Sequence, residues 1–366
     1  MQEEVKVDNS VEVTKEIEDV KKESIWKRFL NFLVVSFNGM AYGLFATLII
    51  GVIIQQIGIL IGNVEAFKTL SEMIIQLSTI LKSLMGVGIG IGIAYMLKLD
   101  GLKLVAAGMA GGIATAFKYS AEGSPLNDPM VAYLCVVAVF LAFTYLLKKK
   151  TPVDIILVPF VGAVIGLLVA FLLGAPVKWF MTMLGTFIQD ATTYQPFLMG
   201  IIIAVFMGMF LTMPISSAAI AISISLGGIA GGAAVVGCSV QMVGFAVMSR
   251  KDNNIGTVIS VFIGTSMLQF KNILKKPIIW LPTIIVSAIL GPVATLLLKV
   301  QSTPIGSGMG TSGLVGQIGT LDAMGYQPMT FLIILLIQII LPLLMVWGLD
   351  ILFRKRGLIQ PGDLKI

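Results

Sequence analysis

Residues 191–249 form a run of 59 positions without one charged side chain. A helical span needs about 20 apolar residues, so the run can cross a bilayer more than once, yet only its first part reads as plain membrane helix. From Thr212 the text is TMPISSAAIAISISLGGIAGGAAVVGCSVQMVGF, dense in hydroxyls and glycines, with Pro214 and Gln241 among them. A second uncharged stretch of this character, STPIGSGMGTSGLVGQIGT, occupies 302–320. Backbone that breaks helix at membrane depth is tolerated only where it is buried in protein or lines a wet cavity. These two stretches are therefore the expected substrate-binding elements, and the rest of the chain is their scaffold.

The 366 residues are 57% hydrophobic and 12% charged, and span-length apolar runs recur throughout. This predicts an all-α polytopic membrane protein. Histidine is absent and the two cysteines, Cys135 and Cys238, sit in apolar text. A His/Cys metal cluster, an imidazole-paired nucleophile and a disulfide framework are thereby excluded, and no cofactor is expected. The net charge of +6 lies in short clusters between apolar runs, so it reads as topology and not as a nucleic-acid footprint. Residues 1–24 carry eight acidic side chains and four lysines, which suits a solvated tail or short surface helix and not a signal peptide.

Strict alternation of spans from a cytoplasmic N-terminus puts Lys98/Lys103, Lys148/Lys149/Lys150, Arg250/Lys251, Lys271/Lys275/Lys276 and Arg354/Lys355/Arg356 on one side, as the positive-inside rule asks. The spans are then 29–61, 77–97, 102–117, 130–147, 153–174 and 196–211. Residues 214–249 cross out and back as two short spans, 277–298 crosses outward, and 329–353 returns. Residues 255–270 are too few to cross twice, and 302–320 dips in and returns. The expectation is about ten transmembrane helices plus two re-entrant hairpin-like elements, with both termini cytoplasmic. Five spans per half would make an inverted repeat, with glycine-interrupted text at 86–112 and 227–244 in the two halves. The alternation at Gly86, Gly88, Gly90 and Gly92 has a strand's period, but an open edge in lipid leaves amides unpaired, so a closely packed helix is expected. The units are a cytoplasmic tail over 1–28, membrane halves over 29–195 and 196–353, and a C-terminal cytoplasmic tail over 354–366.

Every Asp and Glu falls in a tail, a loop or a segment end, with Asp154 and Asp322 nearest to exceptions, so no proton relay is expected at mid-membrane. Binding then falls to neutral groups. Ser216 and Ser217 follow Pro214 at a helix start, where unpaired amides face the ligand; close helix packing is the competing role for such small residues. Gln241 is a primary amide in apolar text and is costly there without partners. Thr265, Ser266 and Gln269 mark the first hairpin; Thr311, Ser312 and Gln317 the second. Asn38 is a further candidate. Lys271, Lys275 and Lys276 read as a topology signal or a lipid headgroup contact. Residues 306–319 lack the Gly-Lys-Ser/Thr of a phosphate loop.

The texts TMPISSAAIAI, GCSVQMVGF, GTSMLQ and GTSGLVGQIGT resemble the membrane IIC components of the bacterial phosphotransferase system, in the stand-alone IIC-like branch often labelled toxin regulators. The resemblance covers residues 29–353. It implies a homodimer in the bacterial cytoplasmic membrane, with dimer contacts in the first half and substrate held between two hairpins in the second. It also implies transport of a small polar solute, sugar-like or anionic, by movement of the substrate-binding domain, with soluble phosphotransferase components as partners. Sugar IIC proteins use a glutamate in a Gly-Ile-Thr-Glu loop and commonly a histidine; this chain has neither. Intrinsic catalysis is accordingly not expected, and phosphoryl transfer would need separate IIA and IIB proteins. The other reading is a membrane sensor that binds a ligand in the same pocket without moving it.

Overall fold

The computed structural model describes residues 25–62, 64–99, 101–119, 123, 125–148 and 150–366, apart from the side chains of 25–27 and 223. The expected tail over 1–24 and Lys149 of the lysine cluster lie outside these residues. Among the described residues all regular elements are helical, and one antiparallel bridge joins Gly228 to Ser302. In chain order they are α1 (Arg28–Gly62), α2 (Lys68–Ser83), α3 (Met85–Met96), α4 (Gly101–Ala116), α5 (Pro129–Tyr145), α6 (Asp154–Ala191), α7 (Pro196–Thr212), α8 (Ser217–Ser223), α9 (Gly228–Ser249), α10 (Ile255–Gly264), α11 (Phe270–Lys275), α12 (Pro277–Leu297), α13 (Pro304–Ser307), α14 (Val315–Met324) and α15 (Pro328–Lys355).

Local chemistry sets many of these limits. Pro129, Pro196, Pro277, Pro304 and Pro328 each open a helix, where the missing N–H had no intrahelical acceptor to lose. Asp128 caps α5, its Oδ1 accepting from the N–H groups of Met130 at 2.7 Å and Val131 at 3.2 Å. At the other end of that helix Lys103 Nζ donates to the carbonyl of Leu147 at 2.9 Å, satisfying a terminal acceptor with a cation.

The alternating glycines of α3 do form a packed helix. Two residues turn a helix by roughly 200°, so Gly88 and Gly92 face α1 while Gly86 and Gly90 face α4. A Cβ on Gly92 would stand 2.2 Å from the carbonyl oxygen of Gly39, and one on Gly86 would stand 2.2 Å from that of Gly111. In the second half Gly200 and Gly291 meet in the same way, and a Cβ on Gly237 would lie 1.9 Å from the Ala204 carbonyl oxygen. Small residues here let backbones touch, which is how helices associate without a hydrophobic drive in lipid.

By length and apolar content α1, α6, α9, α12 and α15 can cross a bilayer, and α2 with α3, bent by 48° at their junction, would make a sixth if the pair is one span. The chain is a multi-pass membrane protein. Helices α4, α5, α7 and α10 are apolar but shorter, so neither the full count of about ten nor the inverted repeat is decided by length. Two segments differ in form from expectation. Residues 153–195 hold one helix of 38 residues, about 57 Å long at 1.5 Å per residue, with Pro159 and Pro176 inside it, where a span over 153–174 alone was expected. Residues 214–249 hold the seven-residue α8 and the 22-residue α9, so one of the two expected short spans is a full helix. Buried side chains cover nearly all of α9, including Val235, Val240, Phe245 and Met248, which makes it the axis of the second half.

Contacts fix two ends for that half. Thr295 Oγ1 donates to the Pro196 carbonyl at 2.8 Å, and the Gly228–Ser302 bridge lies beside it in the chain. At the opposite end Arg250 approaches Asp350 at 3.8 Å, Arg354 approaches Asp252 at 3.6 Å and Lys276 pairs with Asp363 at 2.6 Å. The basic clusters at 250, 276 and 354 therefore share one end, as the charge pattern predicts.

Candidate functional site

Two broken elements enter this half from its opposite ends. Helix α10 starts at the basic end, where Asn254 Oδ1 accepts from the Thr257 N–H at 2.9 Å. It stops at Thr265, which is extended (φ −159°, ψ 139°), and the chain turns back through Ser266–Gln269 into α11. Both limbs end on the C-terminal segment: Asn253 Nδ2 donates to the Leu364 carbonyl, and Lys276 binds Asp363. The second element leaves the other end at Ser302, turns at Gly310 and comes back along α14, so that the Gln301 N–H reaches Met324 Sδ at 3.3 Å. Gly310 has φ +54°, and a Cβ on it would lie 2.6 Å from the Cys238 carbonyl carbon; only glycine meets both conditions without strain.

The two tips meet. Thr311 Oγ1 donates to the Phe262 carbonyl, and Ser312 Oγ donates to the Gly264 carbonyl at 2.8 Å. A third broken segment joins them before α8. There Ser216 Oγ accepts from the Ala219 N–H at 3.2 Å as the cap, and Ser217 Oγ donates to the Gly308 carbonyl at 2.6 Å. Between the three lies a cavity of about 80 Å³ lined by Ser216, Ser217, Thr265, Ser312, Met267 and Met309, closed on the other side by Pro129 and by Leu44, Leu48 and Ile49 of α1. The α1 wall includes the segment Phe45–Ile49, where the helix widens to a π turn, a distortion frequent at functional sites.

None of the lining side chains is ionisable. The hydroxyls divide by role: Ser216 and Thr265 accept from backbone N–H groups and keep their own O–H to give, while Ser217 and Ser312 have given theirs and keep lone pairs. The cavity thus offers both donors and acceptors without charge.

A second layer stands behind it. Ser266 Oγ shares a hydrogen bond with Thr212 Oγ1 at 2.9 Å, and Thr212 reaches Gln241 Oε1 at 3.3 Å. The same oxygen accepts from Trp280 Nε1 at 2.9 Å and Thr283 Oγ1 at 3.0 Å. Gln241 is fully buried, and its Nε2 has no partner among the described residues. Burying an amide donor without an acceptor costs about 1–3 kcal/mol.

The remaining sequence candidates lie elsewhere. Gln317 Nε2 donates to Gln338 Oε1 at 2.9 Å, and Gln338 passes the chain to Thr320. Gln269 is fully buried with both ends of its amide used, Nε2 donating to the Leu364 carbonyl and Oε1 accepting from Asn272. Asn38 is buried in α1 with its Oδ1 unpartnered and does not line the cavity. Thr212, Trp280 and Thr283 were not legible as a group, since only packing brings them to Gln241. Gln338, a lone amide in the apolar text FLIILLIQIILPLL, carries the same signal as Gln241. Asp350 is also fully buried, held by Arg354 Nε at 2.8 Å; its i,i+4 arginine was the available clue.

Comparison with known proteins gives one family: the family model described as "Phosphotransferase system, EIIC" matches residues 35–366. Searches of curated proteins and of solved structures return no match.

Proposed function

Because the chain belongs to the EIIC family of the phosphotransferase system, we propose that it is a permease for a small uncharged polyhydroxylated solute, bound where its three broken segments meet. The observation that carries this is the convergence of Ser216, Ser217, Thr265 and Ser312 on one cavity without an ionisable wall. An anionic solute would have to leave water for a site with no counter-charge, which is prohibitive unless it is paired. A solute with hydroxyls can both accept from Ser216 and Thr265 and donate to Ser217 and Ser312.

The cavity of about 80 Å³ is small beside the roughly 300–1,000 Å³ of ordinary small-molecule sites, so it must widen to take up a sugar-sized solute. Opening requires the tips, which approach from opposite ends, to part from each other or from α1. Motion of the second half against the first, in a homodimer built on the first half, accomplishes this. The short apolar helices then complete about ten crossings, and the two tip-forming elements are re-entrant. Any phosphorylation of the solute is done by separate soluble components.

The test is phosphoenolpyruvate-dependent and independent uptake of a panel of neutral sugars and polyols in cells with and without the protein. Accumulation of at least one that Thr265→Val reduces supports the reading. Ligand binding by the purified protein with no uptake in liposomes would favour a sensor instead.

A further inference from the structure

At the basic end, away from the cavity, the C-terminal segment folds back over α11. The N–H groups of Gly362 and Leu364 donate to Asp252, the Leu364 carbonyl accepts from Asn253 and Gln269, and the Lys365 carbonyl accepts from Asn272. A cleft of about 460 Å³ lies between this segment and α11. Its ionisable side chains are Lys271, Lys275, Lys276 and Lys365 on the positive side and Asp363 on the negative. Asp363 Oδ2 is 2.6 Å from Lys276 Nζ, while the ammonium groups of Lys271, Lys275 and Lys365 have no hydrogen bond or ion pair among the described residues.

We propose that this cleft is a binding site for a phosphate group, held by Lys271 and Lys275 with Lys365 closing over it and Lys276 shared with Asp363. Lys271 and Lys275 stand i,i+4 on one helix face, so in the empty cleft they repel. Lys271 is half-buried, and burial together with the neighbouring Lys275 ammonium holds its pKa below the ordinary lysine value. An anion between them relieves both penalties. A phosphate suits the cleft better than a single carboxylate: its several oxygens can accept from ammonium groups on two different segments at once, and its charge matches the excess of lysines over the one aspartate. Asp363 is the resident anion with which the ligand competes for Lys276. The phosphate is either free in solution or carried by an anionic lipid headgroup, since a basic pocket at a membrane face suits both.

The experiment uses the full chain purified in an uncharged detergent and titrated by calorimetry at constant ionic strength. One arm uses inorganic phosphate; the other compares dihexanoyl phosphatidylglycerol with dihexanoyl phosphatidylcholine. Saturable binding of phosphate, or of phosphatidylglycerol in excess of phosphatidylcholine, is expected, and the arm that responds identifies the source. Lys271→Gln combined with Lys275→Gln weakens it by about tenfold or more. Asp363→Asn, which removes the competing carboxylate, tightens it by about threefold, a gain that loss of fold cannot mimic. No binding in either arm, binding that survives the double substitution, or binding that Asp363→Asn fails to tighten overturns the site.

Discussion

Ser312 Oγ donates to the carbonyl of Gly264 at 2.8 Å, which ties the tip of an element entering from one end of the second half to the tip of an element entering from the other. Neither tip could be buried there alone. Each exposes backbone carbonyls at a helix break, and buried groups of this kind must be paired. The two breaks satisfy each other, and the space left beside them is the cavity.

Ser312→Ala removes that bond and leaves the Gly264 carbonyl without its donor. A hydrogen bond of this kind contributes about 1 kcal/mol, so uptake of a transported solute should show a KM raised roughly fivefold, with a modest fall in thermal stability. Thr265→Val takes away a donor hydroxyl while keeping the shape, and should raise KM; it also removes the acceptor of the Met267 N–H, so a modest fall in thermal stability is expected here as well. Uptake assays with paired thermal melts check both variants, and an unchanged KM in both would remove these residues from the site.

Gln241→Ala strands the Trp280 indole N–H, while the Thr283 hydroxyl falls back on the Trp280 carbonyl and the Thr212 hydroxyl on Ser266. Destabilisation of about 2–4 kcal/mol is expected from the lost acceptor and the void, along with impaired transport. Gln317→Ala breaks only the link to Gln338, so it should lower stability while leaving solute affinity within about twofold. Melting temperatures and binding isotherms on the two variants test this division, and a larger loss of affinity in Gln317→Ala would reverse it.

Gly92→Val drives a branched side chain into the Gly39 carbonyl, 2.2 Å from where its Cβ would be. The α1–α3 contact is backbone against backbone and cannot yield by a rotamer change, so a loss of about 3 kcal/mol, the upper end for overpacking, is expected. It is read as loss of folded protein by size-exclusion chromatography in detergent. Gly348→Ala, with open space around its Cβ, is the control and should behave as wild type.

The docked C-terminal segment should respond to acid. Desolvation by itself raises the Asp363 pKa, but the bond from Lys276, the bond from the Gln360 N–H, and the positive charges of Lys276 and Arg354 together bring it below the ordinary carboxylate value. A carboxyl with a lowered folded-state pKa gives stability that is fully present above its unfolded value of about 3.9 and is lost as pH falls through the lowered value. The Lys276–Asp363 tie should therefore hold from neutral pH down to about pH 4 and be lost below it, while the bonds from Asn253, Gln269 and Asn272 to the Leu364 and Lys365 carbonyls keep the segment docked. A distance measured between probes at Lys251 and Ile366 should lengthen slightly in that window in the wild type and stay level in Asp363→Asn.

By itself the sequence determined those features that composition and local period dictate. Long apolar runs require helices that cross a bilayer, the glycine alternation in α3 requires close neighbours on two faces, and the uncharged broken text at 212–249 and 302–320 requires burial against protein. Ser216, Ser217, Thr265 and Ser312 were legible as site candidates because hydroxyls beside a helix break have a physical reason to be there. Which candidates share a cavity was decided only by the tertiary structure. Ser217 meets Gly308 and Ser312 meets Gly264 across 91 and 48 residues of chain, and such encounters depend on how helices pack, through glycine contacts whose partners have no signature in local text. Gln241, Gln269 and Gln317 are alike as amides in apolar surroundings. Packing gave the first to Trp280 and Thr283, the second to a returning C-terminal segment that read as a free tail, and the third to Gln338, because a buried amide takes the partners that the fold brings within three ångströms of it.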